Sequence, residues 1–476
     1  MISECAVENL LNNFRRRKNR PLLLPTTLRA NPEEETKEPS IREIKKWIGK
    51  HENGILRYDY LEKLYQGFHD IFFAPEKEAW KPDNRLAVNF PRYITETFCG
   101  YGYGIPIKVT HPDEKVDAII QDFGRENEIT DHDSEMARKC CIYGHAYEYM
   151  YQNERAETKI TACSPKNVIV VYANDMTGRA LFAIRYGYKS AEEYEDKKDA
   201  IKYSGEPFGE ILYRDRIVHF SDGKIGEEKP NPYGYIPIVE WRLNDDRIGI
   251  YEQVAGLVES YNFTIAEKAN DVDAFAEAYL EILGAEVDEE GVRRIRDDRV
   301  INFFGGDSAK DVLVQFLQKP TADGTQENLL NRLENLIYQI SMVANITDDS
   351  FGTSTTGVAL AYKLQAMSNL ATTFDRKIEK SLRKRYKIFC SLSTNTSSVD
   401  AYRDIEIQFT RNIPRNIAEE AQVAQAVEGI VSREAQIALL SFIRDPKAEL
   451  KKVEEENRAE IPTDDPFHMV TENGEK

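Results

Sequence analysis

A chain of 476 residues is too long for one ordinary hydrophobic core, so roughly two to four folding units are expected. With 41% hydrophobic and 30% charged residues, its composition is that of a folded, soluble protein and excludes a wholly disordered one. A net charge of −18 and a pI near 5.1 argue against an overall basic clamp on duplex DNA, whose affinity comes from neutralising phosphates and releasing counterions; either the protein ignores nucleic acid or it contacts DNA without gripping it.

Residues 1–39 read as an arm, because Asn31-Pro32-Glu33-Glu34-Glu35 and Pro39 interrupt any regular element. The basic run 15–18 precedes an apolar run, 22–24, that is too short for a signal peptide or a membrane span. Ser40 and Glu43 form a capping box before Ile41, Ile44, Trp47 and Ile48 at helical spacing. Further helices are predicted at 58–72, 91–99, 115–123 and 134–143, with Gly100-Tyr101-Gly102-Tyr103-Gly104 ending the second of these and Gly144 the last. From His145 to Trp241 the pattern changes to period two, with strands at 145–152, 158–163, 167–173, 180–188, 209–214 and 216–221. Helices followed by an antiparallel sheet make this unit α+β.

An amphipathic helix then runs from Arg247 to about Leu283, with a break expected at 270–273. An insertion follows at 284–320, with a short helix at 288–296 and strands at 299–304 and 312–317. A second amphipathic helix covers 325–344. Because the insertion starts and ends near one tip, the two helices should lie antiparallel, and helices of this length are held by packing. Their polar faces carry Glu252, Glu259, Glu267, Asp271, Asp273, Glu277 and Glu281 on the first and Glu327 and Glu334 on the second. Residues 345–357 have no periodicity, and a long loop of small polar residues inside a helical unit is usually functional. A third long helix at 358–392, a strand at 404–410, two helices in 416–458 split by Ser432 and a polar, disordered tail complete the chain.

No pattern for catalysis or metal binding survives inspection. The cysteines at 5, 99, 140, 141, 163 and 390 include no C-x-x-C pair and read as reduced thiols. The 100–104 glycine run lacks a Lys-Ser/Thr and follows a helix, so it reads as a turn and not a phosphate loop. Asp131-His132-Asp133 are consecutive and point in different directions, so Asp133 or Ser134 serves better as a helix cap than as a metal ligand. His145 and Cys163 have no evident partner for nucleophilic chemistry. Neither a catalytic residue nor a cofactor is expected.

Several stretches, in this order, resemble the portal (head-to-tail connector) proteins of long-tailed phages of Gram-positive hosts. They include Asn84-Arg85-Leu86-Ala87-Val88-Asn89-Phe90-Pro91, the 100–106 glycine-tyrosine run, Tyr143-Gly144-His145-Ala146-Tyr147-Glu148, Glu259-Ser260-Tyr261-Asn262 with Ala269-Asn270-Asp271, Asp349-Ser350-Phe351-Gly352 before Gly357-Val358-Ala359-Leu360, and Arg411-Asn412-Ile413-Pro414. The resemblance spans about 40–450. It implies an α+β wing at 40–246, stem helices at 247–272 and 323–344 around a clip at 273–322, and a tunnel loop at 345–357. It further implies a long helix and return strand at 358–414, a crown at 415–458 and a tail at 459–476.

The function implied is a non-enzymatic ring of twelve subunits at one capsid vertex, through which double-stranded DNA is packaged and ejected. The partners implied are the terminase large subunit, scaffold and major capsid proteins and a head-completion or adaptor protein, in a virion assembled in the host cytoplasm, with no membrane. The tunnel-loop residues would be Asn345, Thr347, Asp348, Asp349, Ser350, Phe351, Thr353, Ser354, Thr355 and Thr356, and Glu267, Asp271, Glu327 and Glu334 are nominated to line the channel. A head-associated nuclease or protease and a non-viral scaffold are the rival readings.

Overall fold

The computed structural model describes residues 27–78, 81–188, 206–276, 280–283, 313–316, 323–346, 357–413, 417–440, 443 and 446–459. The chain forms two units, one of Met1–Asn345 with Leu364–Arg411 and a smaller one of Ile346–Lys363 with Asn412–Lys476.

The larger unit opens with β1 (Arg29–Ala30), a 3-10 turn and α1 (Ile41–Gln66). The Ser40 hydroxyl accepts from the Glu43 amide, as the capping box predicts, and itself donates to the Glu43 carboxylate. The helices expected at 41–48 and 58–72 are largely one, which Gly67 ends in the left-handed region at φ 91°. Next comes α2 (Phe90–Tyr103), and here the expected glycine turn is overturned. Helix continues through Gly100 and Gly102 because its neighbours are core residues: Tyr103 packs edge-on against Phe374 and donates to Asp375 at 3.1 Å. Tertiary packing outweighs the roughly 1 kcal/mol helix penalty of each glycine.

After β2 (Lys108–Thr110) come α3 (Glu114–Glu126) and α4 (Ile129–Tyr143). Helix α4 starts five residues before Ser134, so Asp133 is no cap; it is buried inside the helix. Gly144 ends α4 at φ 85°, where a Cβ would lie 2.0 Å from the Arg247 carbonyl oxygen, so no other residue fits without moving the backbone.

The strands are β3 (His145–Gln152), β4 (Thr158–Cys163), β5 (Val168–Ala173), β6 (Ala180–Tyr188), β7 (Pro207–Leu212), β8 (Arg216–Ser221), β9 (Lys224–Pro230) and β10 (Ile238–Arg242). One six-stranded sheet has the order β1-β5-β6-β7-β8-β9, and a three-stranded sheet the order β10-β3-β4. Ile44 and Ile48 of α1 pack with Val171, Leu181 and Phe220 in the core of the larger sheet. Strands β1, β2, β9 and β10 escaped the sequence reading, β9 and β1 for opposite reasons. Strand β9 is a charged, fully exposed edge with no apolar alternation, and β1 is only two residues of the supposed arm, pairing parallel with Tyr172 and Ala173.

Beyond a 3-10 turn at Glu252–Val254 lie α5 (Ala255–Ala276), β11 (Leu280–Leu283), β12 (Leu313–Phe316), α6 (Asp323–Ser341), α7 (Gly357–Phe389) and β13 (Glu406–Gln408). The helix expected to reach Leu283 stops at Ala276, and Leu280–Leu283 is a strand antiparallel to Leu313–Phe316. The helix expected at 288–296 and the strand at 299–304 lie outside the described residues. Strand β13 pairs antiparallel with β2. Among the described residues of 416–459 lie α8 (Ile417–Ala426), α9 (Arg433–Ile437) and α10 (Pro446–Ala459), three helices where two were expected. Ser432, expected to split the helices, caps α9, and Pro446 opens α10 at the first-turn position that needs no N–H. The tail at 460–476 lies outside the described residues.

Buried ions fasten α7 to the sheets. Arg385 is fully buried, and its Nε lies 3.0 Å from both carboxylate oxygens of Glu148 on β3 while its Nη2 donates to Asp133 at 2.6 Å. One helical turn earlier Ser381 donates to the Glu240 carbonyl on β10, and the Lys384 ammonium donates to the Ile238 carbonyl at 2.8 Å. Burial pushes the Glu148 carboxyl up, but Arg385 and His132 together bring it down to about 2. At Asp133 burial prevails over the single Arg385 contact and the carboxyl is raised.

Arg385→Ala strands both carboxylates, so the urea midpoint should fall by the equivalent of about 3–5 kcal/mol. The Glu148 shift stabilises the fold fully above its ordinary value of 4.5, and that contribution is lost as pH falls toward 2. Glu148→Gln should therefore flatten the acid limb of stability measured between those limits.

Candidate functional site

Helices α5 and α6 run antiparallel, as the contacts between them show. Asp271 accepts from Gln326 at 3.1 Å, Lys268 pairs with Glu327, and Phe90 touches both Tyr261 at 5.0 Å and Tyr338 at 5.8 Å between ring centroids. As the number rises on one helix it falls on the other. Leu330, Leu333 and Ile337 are buried at steps of three and four, the spacing of one helical stripe. At the far end of the pair, β11 and β12 bring the chain back on itself through a two-stranded ladder.

The opposite face of α5 binds an extended segment of the same chain. Glu259 lies 3.0 Å from His69 and accepts from the Asp70 amide at 3.0 Å; Asn262 accepts from the Val88 amide at 2.8 Å; Asn270 accepts from the Asn84 amide at 2.6 Å; Asp273 accepts from the Asn84 side chain. Successive helical residues are about 100° apart, which puts these four together and Tyr261 and Lys268 on the far side. Helix α5 is thus held on both sides, by packing on one and by a polar ladder on the other.

The acids nominated for the channel are distributed over both faces. Glu267 pairs with Lys77 at 2.8 Å on the ladder side. Asp271 and Glu327 lie at the seam with Gln326 and Lys268. Glu334, half-buried, accepts from Asn345 at 3.4 Å. Burial, with Glu334 and Glu327 adding, raises the Tyr261 phenol, and burial with Tyr93 and Glu334 raises that of Tyr338. Two other acids read as exposed are not. Glu252 is buried with its carboxylate 2.6 Å from the Arg57 Nε, and Glu259 is buried against His69. Glu277 lies outside the described residues, as do Thr347, Asp348, Asp349, Ser350, Phe351, Thr353, Ser354, Thr355 and Thr356 of the expected loop; of that loop's nominated residues, Asn345 is described.

The ladder was missed by sequence reasoning, although it left a trace. Val258, Asn262, Ala266 and Asn270 recur every four residues and all are buried. An amide in such a stripe implies a hydrogen-bond partner elsewhere. Lys77 and Lys268 left no comparable signal.

His132, Asp133 and Glu148 offer ligand atoms all within 4.8 Å of one another. The donor set suits a cation, and the Arg385 guanidinium is that cation, bonded to both carboxylates. His145 has partners after all, with Nε2 2.8 Å from the Tyr58 hydroxyl and Nδ1 3.3 Å from Glu240; burial lowers its pKa. Among the described residues, no helix is long and apolar enough to cross a membrane.

An α+β chain with paired long helices around a small insertion is the architecture expected of a portal subunit. The family model described as phage portal protein, SPP1 Gp6-like, matches residues 44–463, and the chain belongs to that family. It is 24% identical over 449 residues to the portal protein of Bacillus phage SPP1, covering 89% of this chain and 87% of that one. Identity to the portal protein of Clostridium phage phiCD119 is 20% over 411 residues, covering 82% and 89%. The neck of an empty GTA particle computed with C6 symmetry is similar at 11% identity and a TM-score of 0.41, over 74% of this chain and 90% of that one. The protein is a phage portal subunit, and phage portal proteins are structural components of the virion.

Asn262→Leu leaves the Val88 amide without its acceptor. Val88 is exposed, so water can reach the freed amide and the cost is that of one hydrogen bond, about 0.5–1.5 kcal/mol. Chemical denaturation should show a loss of that size, and hydrogen exchange at Val88 should speed up relative to the sheet amides.

Proposed function

We propose that this subunit assembles head to tail into a closed ring of twelve copies at one capsid vertex and that double-stranded DNA enters and leaves the head through its axial hole. The observation that carries this reading is the antiparallel α5–α6 pair with a two-stranded ladder at its far end, in a chain that belongs to the portal family. On this reading α5 and α6 form the stem, the insertion between them the clip, 345–357 the tunnel loop, the sheets and α1–α4 the wing, and α8–α10 the crown. A ring needs a heterologous interface that closes. The clip would meet the terminase large subunit during packaging and a head-completion or adaptor protein afterwards. Scaffold and major capsid proteins would hold the ring in the shell as the particle assembles in the host cytoplasm. The chain would supply no catalysis itself, so the packaging ATPase is a separate protein.

The charge of −18 supports a conduit rather than a clamp. Carboxylates facing the hole repel phosphates, so DNA slides without forming lasting ion pairs. Glu267, Asp271, Glu327 and Glu334 are the candidates for that lining, and neutralising Asp271 and Glu334 leaves the Glu267–Lys77 and Glu327–Lys268 ion pairs in place.

Particles assembled without this chain should contain no DNA, and supplying the chain in trans should refill them; DNA-filled heads in its absence would contradict the proposal. Neutralising the lining with D271N and E334Q together should slow motor-driven translocation most at low salt, where phosphate attraction is least screened. An unchanged rate would assign these acids a purely structural role.

A further inference from the structure

Two buried thiols lie within reach of one another between helices that the portal role does not otherwise connect. The sulfurs of Cys99 on α2 and Cys141 on α4 are 3.7 Å apart. Both residues are buried, Cys141 completely. Their surroundings hold them in register. Phe98 stacks on Phe374 beside Cys99, and the Cys141 carbonyl accepts from the Ile250 amide at 2.8 Å. The adjacent Cys140 is fully buried as well, but the sulfur in contact with Cys99 is that of Cys141. A disulfide needs the sulfurs at about 2.05 Å, so the two must draw closer for the bond to form.

We propose that Cys99 and Cys141 close to a disulfide that staples α2 to α4 when the surroundings turn oxidising, with a small-molecule disulfide such as oxidised glutathione as the electron acceptor. One cysteine thiolate attacks a sulfur of the oxidant, forming a mixed disulfide and releasing one small thiol. The second cysteine attacks the protein sulfur of that mixed disulfide and releases the other small thiol. The two cysteines lose two electrons and two protons, and the two small thiols gain them. Burial and the neighbouring sulfur push the Cys141 thiol up, so thiolate is scarce and closure waits on local opening. The staple is therefore slow to form and slow to reduce. It joins residues 42 positions apart, and closing a loop of that length restricts the unfolded chain and raises the unfolding midpoint.

The test uses the purified full chain and does not depend on ring formation. Protein is incubated with oxidised glutathione, free thiols are alkylated under denaturing conditions, and a tryptic digest is mapped without reductant. The expected product joins the peptide containing Cys99 to the peptide containing Cys140 and Cys141, two hydrogens lighter than their sum, with fragmentation placing the bond on Cys141. C140S should keep the link, C99S and C141S should each abolish it, and oxidised wild-type protein should melt at a higher temperature than reduced. Full alkylation of Cys99 and Cys141 after oxidation, or a link that falls on Cys140, overturns the proposal.

Discussion

A long helix fixes its own shape but not its direction, and in this protein the direction of α5 is set by a row of polar side chains. Glu259, Asn262, Asn270 and Asp273 take hydrogen bonds from a segment that would otherwise be bare backbone. Each such part-buried contact is worth little net, but several in one row can be made together in one register only, so the ladder favours that register over its neighbours. Everything downstream inherits that choice. Helix α6 packs on the other side of α5, and the β11–β12 ladder stands at the end of the pair. If the pair forms the stem of a ring, the ladder also sets the inclination at which each copy meets the next.

The second long helix is held by charge. Helix α7 has 33 residues and spans about 50 Å. Its Arg385 is paired with two carboxylates from different elements and lies over the Trp241 ring. A buried ion network is not a large net source of stability, but breaking it is costly, which suits a joint that must hold one geometry. The carboxylates that could have held a metal hold this guanidinium instead. Both devices convert buried polar groups into positional accuracy, one by amides and carboxylates on backbone, the other by a guanidinium between helix and sheet.

Much of this was legible in the residues. Strand limits at 158–163 and 216–221 follow from period-two alternation, because one face of each is buried, while 145–152 and 180–188 are mostly apolar runs buried on both faces and bounded by turn residues. The Ser40 cap and the break at Ser432 were readable because helix ends are marked by local chemistry. What failed depended on distant partners. Gly100 and Gly102 sit in a helix because Phe374 and Asp375, far along the chain, hold Tyr103. Asp133 looked like a cap because Arg385 lies 252 residues away. Glu259 looked like solvent-facing charge until His69 closed over it. For the site, the helix pair and its antiparallel sense were readable from the insertion between them, whereas the lysines that pair with Glu267 and Glu327 were not, since surface ion pairs leave no periodic mark.

The central claim is that copies of this chain close around a hole. Electron imaging of the purified protein, with mass measured on the same sample, tests it most directly. The account predicts rings with rotational symmetry and an open axial channel, of a mass that is a whole number of 54.7 kDa chains. Compact single subunits under every assembly condition, and in particles taken from infected cells, would contradict it.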